Sequence, residues 1–235
     1  MRAKNDLNEL ELYCIAGTHT AVLSLDMKNK PTNLLGFAFE RKDNKTGKRI
    51  WLYGQKCFHS VIADPVPGQQ YPTQLHPVQS FLWKDFTVEP NNSYTYKVTP
   101  VAGSPLKPEY GDSVEIQIST EPYSKGKHGV YFNRGVSGSQ SYAERFGNQR
   151  PDKMDPSKQE QAYAWLSRGL FEGFKEFIQS AQKGQQLRGA FYEFHFDKIL
   201  NEFKNARDRG VDVKIVYSAK SYKKENEKAI ADAGI

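Results

Sequence analysis

Leu187-Arg188-Gly189-Ala190-Phe191-Tyr192-Glu193-Phe194 and, further on, Arg209-Gly210-Val211-Asp212-Val213-Lys214-Ile215-Val216-Tyr217 decide how the second half of this 235-residue chain folds. Each is a short apolar run of strand length. Between them Ile199, Leu200, Phe203 and Ala206 recur at three- and four-residue spacing, which puts one apolar stripe on a helix over Lys198–Arg209. Gly210 follows the last turn, where a glycine takes the left-handed conformation that ends a helix. Strand, helix and strand with joins this short make a βαβ unit, so the crossover should be right-handed and the strands parallel.

Outward from this unit the same alternation continues. Upstream, Gly129–Asn133 reads as a short strand. Asp155-Pro156 reads as a helix start, with Asp at the cap and Pro in the first turn. Ala162, Leu166, Leu170, Phe174, Phe177, Ile178 and Ala181 then form one apolar face of a long helix ending near Lys183-Gly184. Downstream, Glu225–Ala233 starts another helix.

The first half has a different character. Leu10–Ile15, Ala21–Asp26, Leu34–Glu40, Arg49–Tyr53, Ser80–Phe86, Ser93–Pro100 and Ser113–Ser119 read as strands. Asp43-Asn44-Lys45-Thr46-Gly47 is a hairpin turn. Pro65, Pro67, Pro72 and Pro77 predict a long surface connection over Ile62–Pro77. Short strands at this density fit a β-sandwich, with Trp51 and Trp83 as core residues. The expected organisation is therefore two domains: an all-β sandwich over 1–121, a polar linker from Pro122 to Lys127, and an incomplete α/β domain over 128–235.

No apolar run approaches the roughly 20 residues that span a bilayer. The polar segment Met1–Glu11 lacks a signal-peptide core, so the expected location is cytoplasmic. Cys14 and Cys57 sit in apolar, strand-like contexts and are expected to be buried free thiols, a disulfide being the alternative. Residues 1–119 hold 13 Lys and Arg against 12 Asp and Glu, and residues 120–235 hold 20 against 15. The excess in the second half suits a phosphate-bearing partner, and equally a solvated helical surface.

The stretch Leu187–Ile235 resembles the phospholipase D superfamily. The resemblance rests on Arg188–Phe194, Ile199-Leu200, Ala206-Arg207-Asp208-Arg209-Gly210-Val211, the alternating strand Asp212–Tyr217, and the helix running to Gly234-Ile235. It extends more weakly upstream through Gly129-Val130-Tyr131-Phe132-Asn133 and the long helix. The first half is similar in architecture to a fibronectin type III-like module, a type that serves binding or spacing. The family resemblance implies hydrolysis of phosphodiester bonds through a covalent phosphohistidine on a His-x-Lys-x4-Asp motif. A second histidine acts as general acid, and lysines stabilise phosphoryl charge. It implies no metal or other cofactor, and a homodimer is one assembly it allows.

That motif is absent here. His19, His59, His76, His128 and His195 are each followed, two positions on, by a residue other than lysine. The resemblance places it shortly beyond Ile235, so catalytic residues are expected to lie outside this sequence. Two residues within it are candidates for substrate binding. His195 follows a parallel strand, where α/β domains place ligands, and its bland reading is a half-buried loop residue. Lys220, with Lys223, Lys224 and Lys228, would steer phosphodiesters, or simply solvate a helix start.

Gly135-Val136-Ser137-Gly138-Ser139 would cradle a phosphate or be a plain loop, and it lacks the flanking pattern of a nucleotide-binding loop or a nucleophile elbow. An unrelated α/β enzyme with its site around Ser137–Gln140 is a weaker rival. Asn44-Lys45-Thr46 and Asn91-Asn92-Ser93 have the form of glycosylation sequons. The expected function is thus part of a phosphodiesterase acting on nucleic acid or phospholipid. The alternative is a non-catalytic binding or scaffold protein built on a sandwich and a degenerate α/β domain.

Overall fold

The computed structural model describes residues 1–66, 68–135 and 140–234. The chain forms two compact units, Met1–Val130 and Tyr131–Ile235.

In the first unit, strands β1 (Arg2–Leu7), β2 (Leu10–Ala16), β3 (Ala21–Met27) and β8 (Leu82–Asp85) form one antiparallel sheet in the order β1-β2-β3-β8. The second sheet contains β4 (Gly36–Asp43), β5 (Arg49–Trp51), β9 (Ser93–Ser104), β10 (Lys107–Tyr110) and β11 (Val114–Ser119). Here β4 lies between β5 and β9, and the far edge of β9 pairs first with β11 and then with β10. Two-residue pairs, β6 (Tyr53–Gly54) with β7 (Tyr71–Pro72) and β12 (Ser124–Lys125) with β13 (His128–Gly129), complete the unit.

Alternation puts Leu10, Leu12, Cys14 and Ala16 of β2 and Val114, Ile116 and Ile118 of β11 on the inner faces. Both sheets feed a single core with Phe37, Phe39, Tyr94, Tyr96 and Val98 at its centre. Neither tryptophan is the core residue expected: both are half-buried, Trp83 stacking on Phe39 at 5.5 Å from the core's flank. The expected hairpin turn forms between β4 and β5. Asp43 accepts the Lys45 and Thr46 amides at 2.9 Å each, and Gly47 takes φ +75°.

The fold departs from expectation at four further places in this unit. β1 and β10 form where no strand was expected, because their mostly exposed residues carry no apolar alternation. β9 runs through Pro100. The Pro100 carbonyl accepts from Gly111, so its nitrogen, on the same side, faces the gap between β10 and β11, where no ladder donor is needed. The proline-rich connection is surface only in part: Tyr71, Thr73 and His76 are buried, and the Thr73 hydroxyl bonds both the amide and the carbonyl of Phe39. Finally, the segment expected as linker is the β12–β13 hairpin of this unit, with Tyr123 against His19 at 5.2 Å.

The second unit contains helices α1 (Gln140–Phe146), α2 (Pro156–Ser167), α3 (Leu170–Ser180), α4 (Asp197–Asp208) and α5 (Lys223–Ala233), with a 3₁₀ turn at Pro151–Lys153. Its sheet is β14 (Gln186–Phe191) parallel to β15 (Asp212–Tyr217), joined through α4 as expected. Ile178, Leu187, Leu200, Phe203, Ala206 and Val211 form its core.

Two expectations are corrected. The single long helix is two, because Arg168 (φ +51°) and Gly169 (φ +84°) are successive left-handed residues that end α2 and restart the chain as α3. Gly129–Asn133 does not add a strand to this sheet; its first residue belongs to the β12–β13 hairpin, and Tyr131 packs its ring on Gly173 of α3. Among the described residues, no helix is long and apolar enough to cross a membrane.

Candidate functional site

The parallel strands end together at Phe191 and Tyr217, and the Ser218 amide extends the ladder by donating to the Phe191 carbonyl at 3.0 Å. Two loops leave this edge, 192–196 toward α4 and 218–222 toward α5. In the second, the Ser218 hydroxyl accepts the amides of Lys220 (3.4 Å) and Ser221 (3.3 Å), curling the loop back on itself. The Tyr192 hydroxyl then donates to the Ser221 hydroxyl at 2.7 Å, tying loop to loop.

Asn226, in the first turn of α5, is fully buried. Its Oδ1 accepts the Phe194 amide at 2.7 Å, which fixes the orientation of the side-chain amide. The same oxygen lies 3.3 Å from His195 Nδ1. Since that oxygen only accepts, His195 Nδ1 is the donor, and neutral His195 presents a bare Nε2. Glu193 Oε2 stands 3.9 Å from Nε2 and would pair with the imidazolium. The His195 ring lies 5.6 Å from that of Tyr222, which meets Tyr192 edge-on at 6.3 Å.

The structure therefore brings His195 and Lys220 to the same rim from opposite loops. His195 is half-exposed and positioned, and Lys220 is exposed in the Ser218 turn. Lys223 faces Glu227 at 3.8 Å and Lys228 faces Asp232 at 2.5 Å; the latter contact raises the Lys228 ammonium above its ordinary range. Tyr192, Ser218, Ser221, Tyr222 and Asn226 complete the cluster and went unnoticed in the sequence. Only the position of Tyr192 near the end of one predicted strand, Leu187–Phe194, and of Ser218 just past the other would have pointed to them; β14 itself ends earlier, at Phe191. Val136–Ser139, the core of the other candidate loop, lie outside the described residues.

In the first unit the two sequons meet at an open hollow of about 360 Å³ lined also by Lys45, Asn92, Ser93, Ser119 and Thr120. Its side chains bond one another: Asn44 Nδ2 donates to Ser93 at 3.0 Å and Asn92 Nδ2 donates to Asp43 at 2.9 Å. This is a braced end of the sandwich whose hydrogen-bonding capacity is turned inward. Cys14 is buried and Cys57 half-buried, and both are free thiols.

No protein-family model and no curated protein matches this chain. Among solved structures, a computationally redesigned β-sandwich protein matches 52% of this chain and 99% of its own, at 12% identity and a TM-score of 0.33. A likeness of that degree carries no weight for fold or function.

Proposed function

We propose that the second unit is the leading part of a phospholipase D-like phosphodiesterase domain. The whole protein would hydrolyse phosphodiester bonds, in nucleic acid or phospholipid, through a phosphohistidine on a His-x-Lys-x4-Asp segment outside these 235 residues. The observation that carries this is the Arg209-Gly210-Val211 turn. Gly210, at φ +89°, donates to Arg207 O at 2.8 Å, and Val211 donates to Ala206 O at 3.1 Å. These are the two bonds of a Schellman motif, with buried Val211 and Ala206 as its apolar contact. The residues on which the resemblance rests thus do the physical work of ending α4 and delivering β15 parallel to β14.

The sheet's other face supports the same reading. Arg188, Ala190, Lys214 and Val216 are exposed, while parallel sheets are ordinarily covered on both faces. In the first unit, β2-β3-β8 facing β5-β4-β9-β11 supports a fibronectin type III-like module with a binding or spacing role.

The test is to read the coding DNA beyond the codon for Ile235 and assay the encoded protein on a chromogenic phosphodiester. A following His-x-Lys-x4-Asp, with turnover lost when its histidine is replaced, is the expected result. An immediate stop codon, or turnover by the 235-residue chain alone, overturns the reading. The stop codon would leave the second reading, a binding or scaffold protein, favoured by the fact that the histidines present all lie outside the catalytic motif.

A further inference from the structure

We infer that the rim at the C-terminal ends of β14 and β15 is a stacking platform for single-stranded nucleic acid. This deepens the phosphodiesterase reading, on which it rests for bringing a phosphodiester to these strand ends, by naming the polymer. Tyr192 and Tyr222 are 63% and 47% exposed, with rings braced edge-to-face rather than buried in the core. Tyr222 is held at φ +55°, ψ +25°, a left-handed conformation that a bulky residue keeps only where its surroundings impose it, and such residues gather at ligand sites.

Phosphate recognition lies alongside. Lys220 and Lys224 are exposed and, among the described residues, have no ion-pair partner. Helix α5 begins without a side-chain cap, so its first amides remain open to an anion. Two carboxylates, Glu193 and Glu225, share the rim, but between residues 218 and 228 four lysines face two glutamates. Cations beside sequence-tolerant aromatic faces are the chemistry that holds unpaired bases on a backbone track. A duplex hides its base faces, and a lipid headgroup offers no ring to stack, so Tyr192 and Tyr222 would be idle against either.

The experiment is fluorescence anisotropy of the 235-residue chain with labelled oligothymidylate of about 12 nucleotides. An abasic strand of equal length is the competitor, and anionic phosphatidylglycerol vesicles are tested by co-sedimentation. The abasic strand should bind about ten-fold more weakly or worse. Tyr192→Ala should weaken oligothymidylate binding about ten-fold, as should Tyr222→Asn, which removes the ring with a residue at ease at positive φ. Lys220→Ala and Lys224→Ala should each lower the salt slope by about one.

Equal affinity for abasic and base-bearing strands overturns the inference. So does unchanged binding in Tyr222→Asn with an intact circular dichroism spectrum, or vesicle binding that exceeds strand binding. A coding sequence that continues into the catalytic motif while these variants bind normally overturns this inference and leaves the enzyme reading standing. Ring-dependent binding with an immediate stop codon does the reverse.

Discussion

The Arg41 guanidinium meets the Asp85 carboxylate at 2.6 Å inside the first unit, with the two side chains 11% and 2% exposed. The Tyr96 hydroxyl donates to the same oxygen at 2.8 Å, and the Thr87 amide and hydroxyl donate to the other at 2.8 and 2.7 Å. Burial works against the Arg41 charge, and the neighbouring Asp85 carboxylate outweighs it, raising the guanidinium above its ordinary range. Burial and the same carboxylate push the Tyr96 phenol up, so it stays neutral and donates. Arg41→Met strands a buried carboxylate and should lower the unfolding free energy of this unit by about 3–5 kcal/mol. The triple change Arg41→Met, Asp85→Leu and Tyr96→Phe should recover most of that loss. Urea unfolding followed by near-ultraviolet circular dichroism decides it; equal losses in the single and triple variants would refute the account.

Gly36 and Gly47 separate two costs of replacing glycine. Both have positive φ, +140° and +75°. A Cβ on Gly47 meets nothing within 4 Å, whereas one on Gly36 would stand 2.4 Å from the Val78 carbonyl oxygen. Gly47→Ala should cost about 1–2 kcal/mol, the conformational term alone. Gly36→Ala should cost more than twice as much. The clash is with backbone and forces apart the paired Phe37–Val78 hydrogen bonds of 3.0 and 2.9 Å, each worth about 1 kcal/mol. Thermal unfolding of the two variants side by side tests the ranking.

Acid should loosen the 58–78 connection before the rest of the sandwich. His76 is buried, its Nδ1 accepts the Phe58 amide at 3.2 Å, and burial lowers its proton affinity below the ordinary histidine value. A lowered folded value means the unfolded chain binds the proton first. Stability therefore falls as pH drops below about 6.5 and levels once the folded value is passed. His76→Asn, whose Oδ1 can take the same amide, should flatten the melting temperature between pH 7.5 and 5. Asp43 acts lower down: the Thr46 amide first, then Asn92 and Lys45, hold its carboxyl below the usual range, so its contribution is present above about pH 4 and lost beneath it. An unchanged pH slope in His76→Asn would remove the histidine account.

Which parts were legible follows from what each residue had to satisfy. β2, β3, β11, α4 and β15 were readable because one face of each meets the core and the other meets water, so the period shows in the residue types. β1 was not, since five of its six residues are exposed. The break between α2 and α3 was missed because the apolar repeat continues in phase across Arg168-Gly169, and only the glycine signals the stop. The rim was half legible: a strand end can be located from sequence, which found His195 and Lys220. Asn226 lies 31 residues beyond His195 and acquires its role only when α5 packs on α4 and meets the 192–196 loop. The Arg41–Asp85 pair was hidden for the same reason, since each residue alone reads as an ordinary strand-edge charge.

The two thiols should react at different rates. Burial pushes the Cys14 thiol up to about 12, leaving almost no thiolate at neutral pH, while Cys57 is half-buried at the start of the proline-rich connection. Because the thiolate is the nucleophile, Ellman's reagent should titrate one thiol in the native chain and two in denaturant. Cys57→Ser should abolish the native reaction. Two fast equivalents without denaturant would mean that β2 opens far more readily than its packing allows.

Asn226 should hold the rim together out of proportion to its size. Asn226→Ala leaves the Phe194 amide buried without an acceptor and frees the His195 imidazole, at a cost of about 1–3 kcal/mol. The loss should be local before it is global. Hydrogen exchange at the Phe194 amide should accelerate by a factor of about ten or more, that cost expressed as a rate, while amides of β2 and β3 in the first unit exchange as before. Asn226→Leu, similar in volume, should not rescue the protection, because the missing element is an acceptor and not packing. If Leu restores slow exchange at Phe194, Asn226 fills space and the positioning role assigned to it fails.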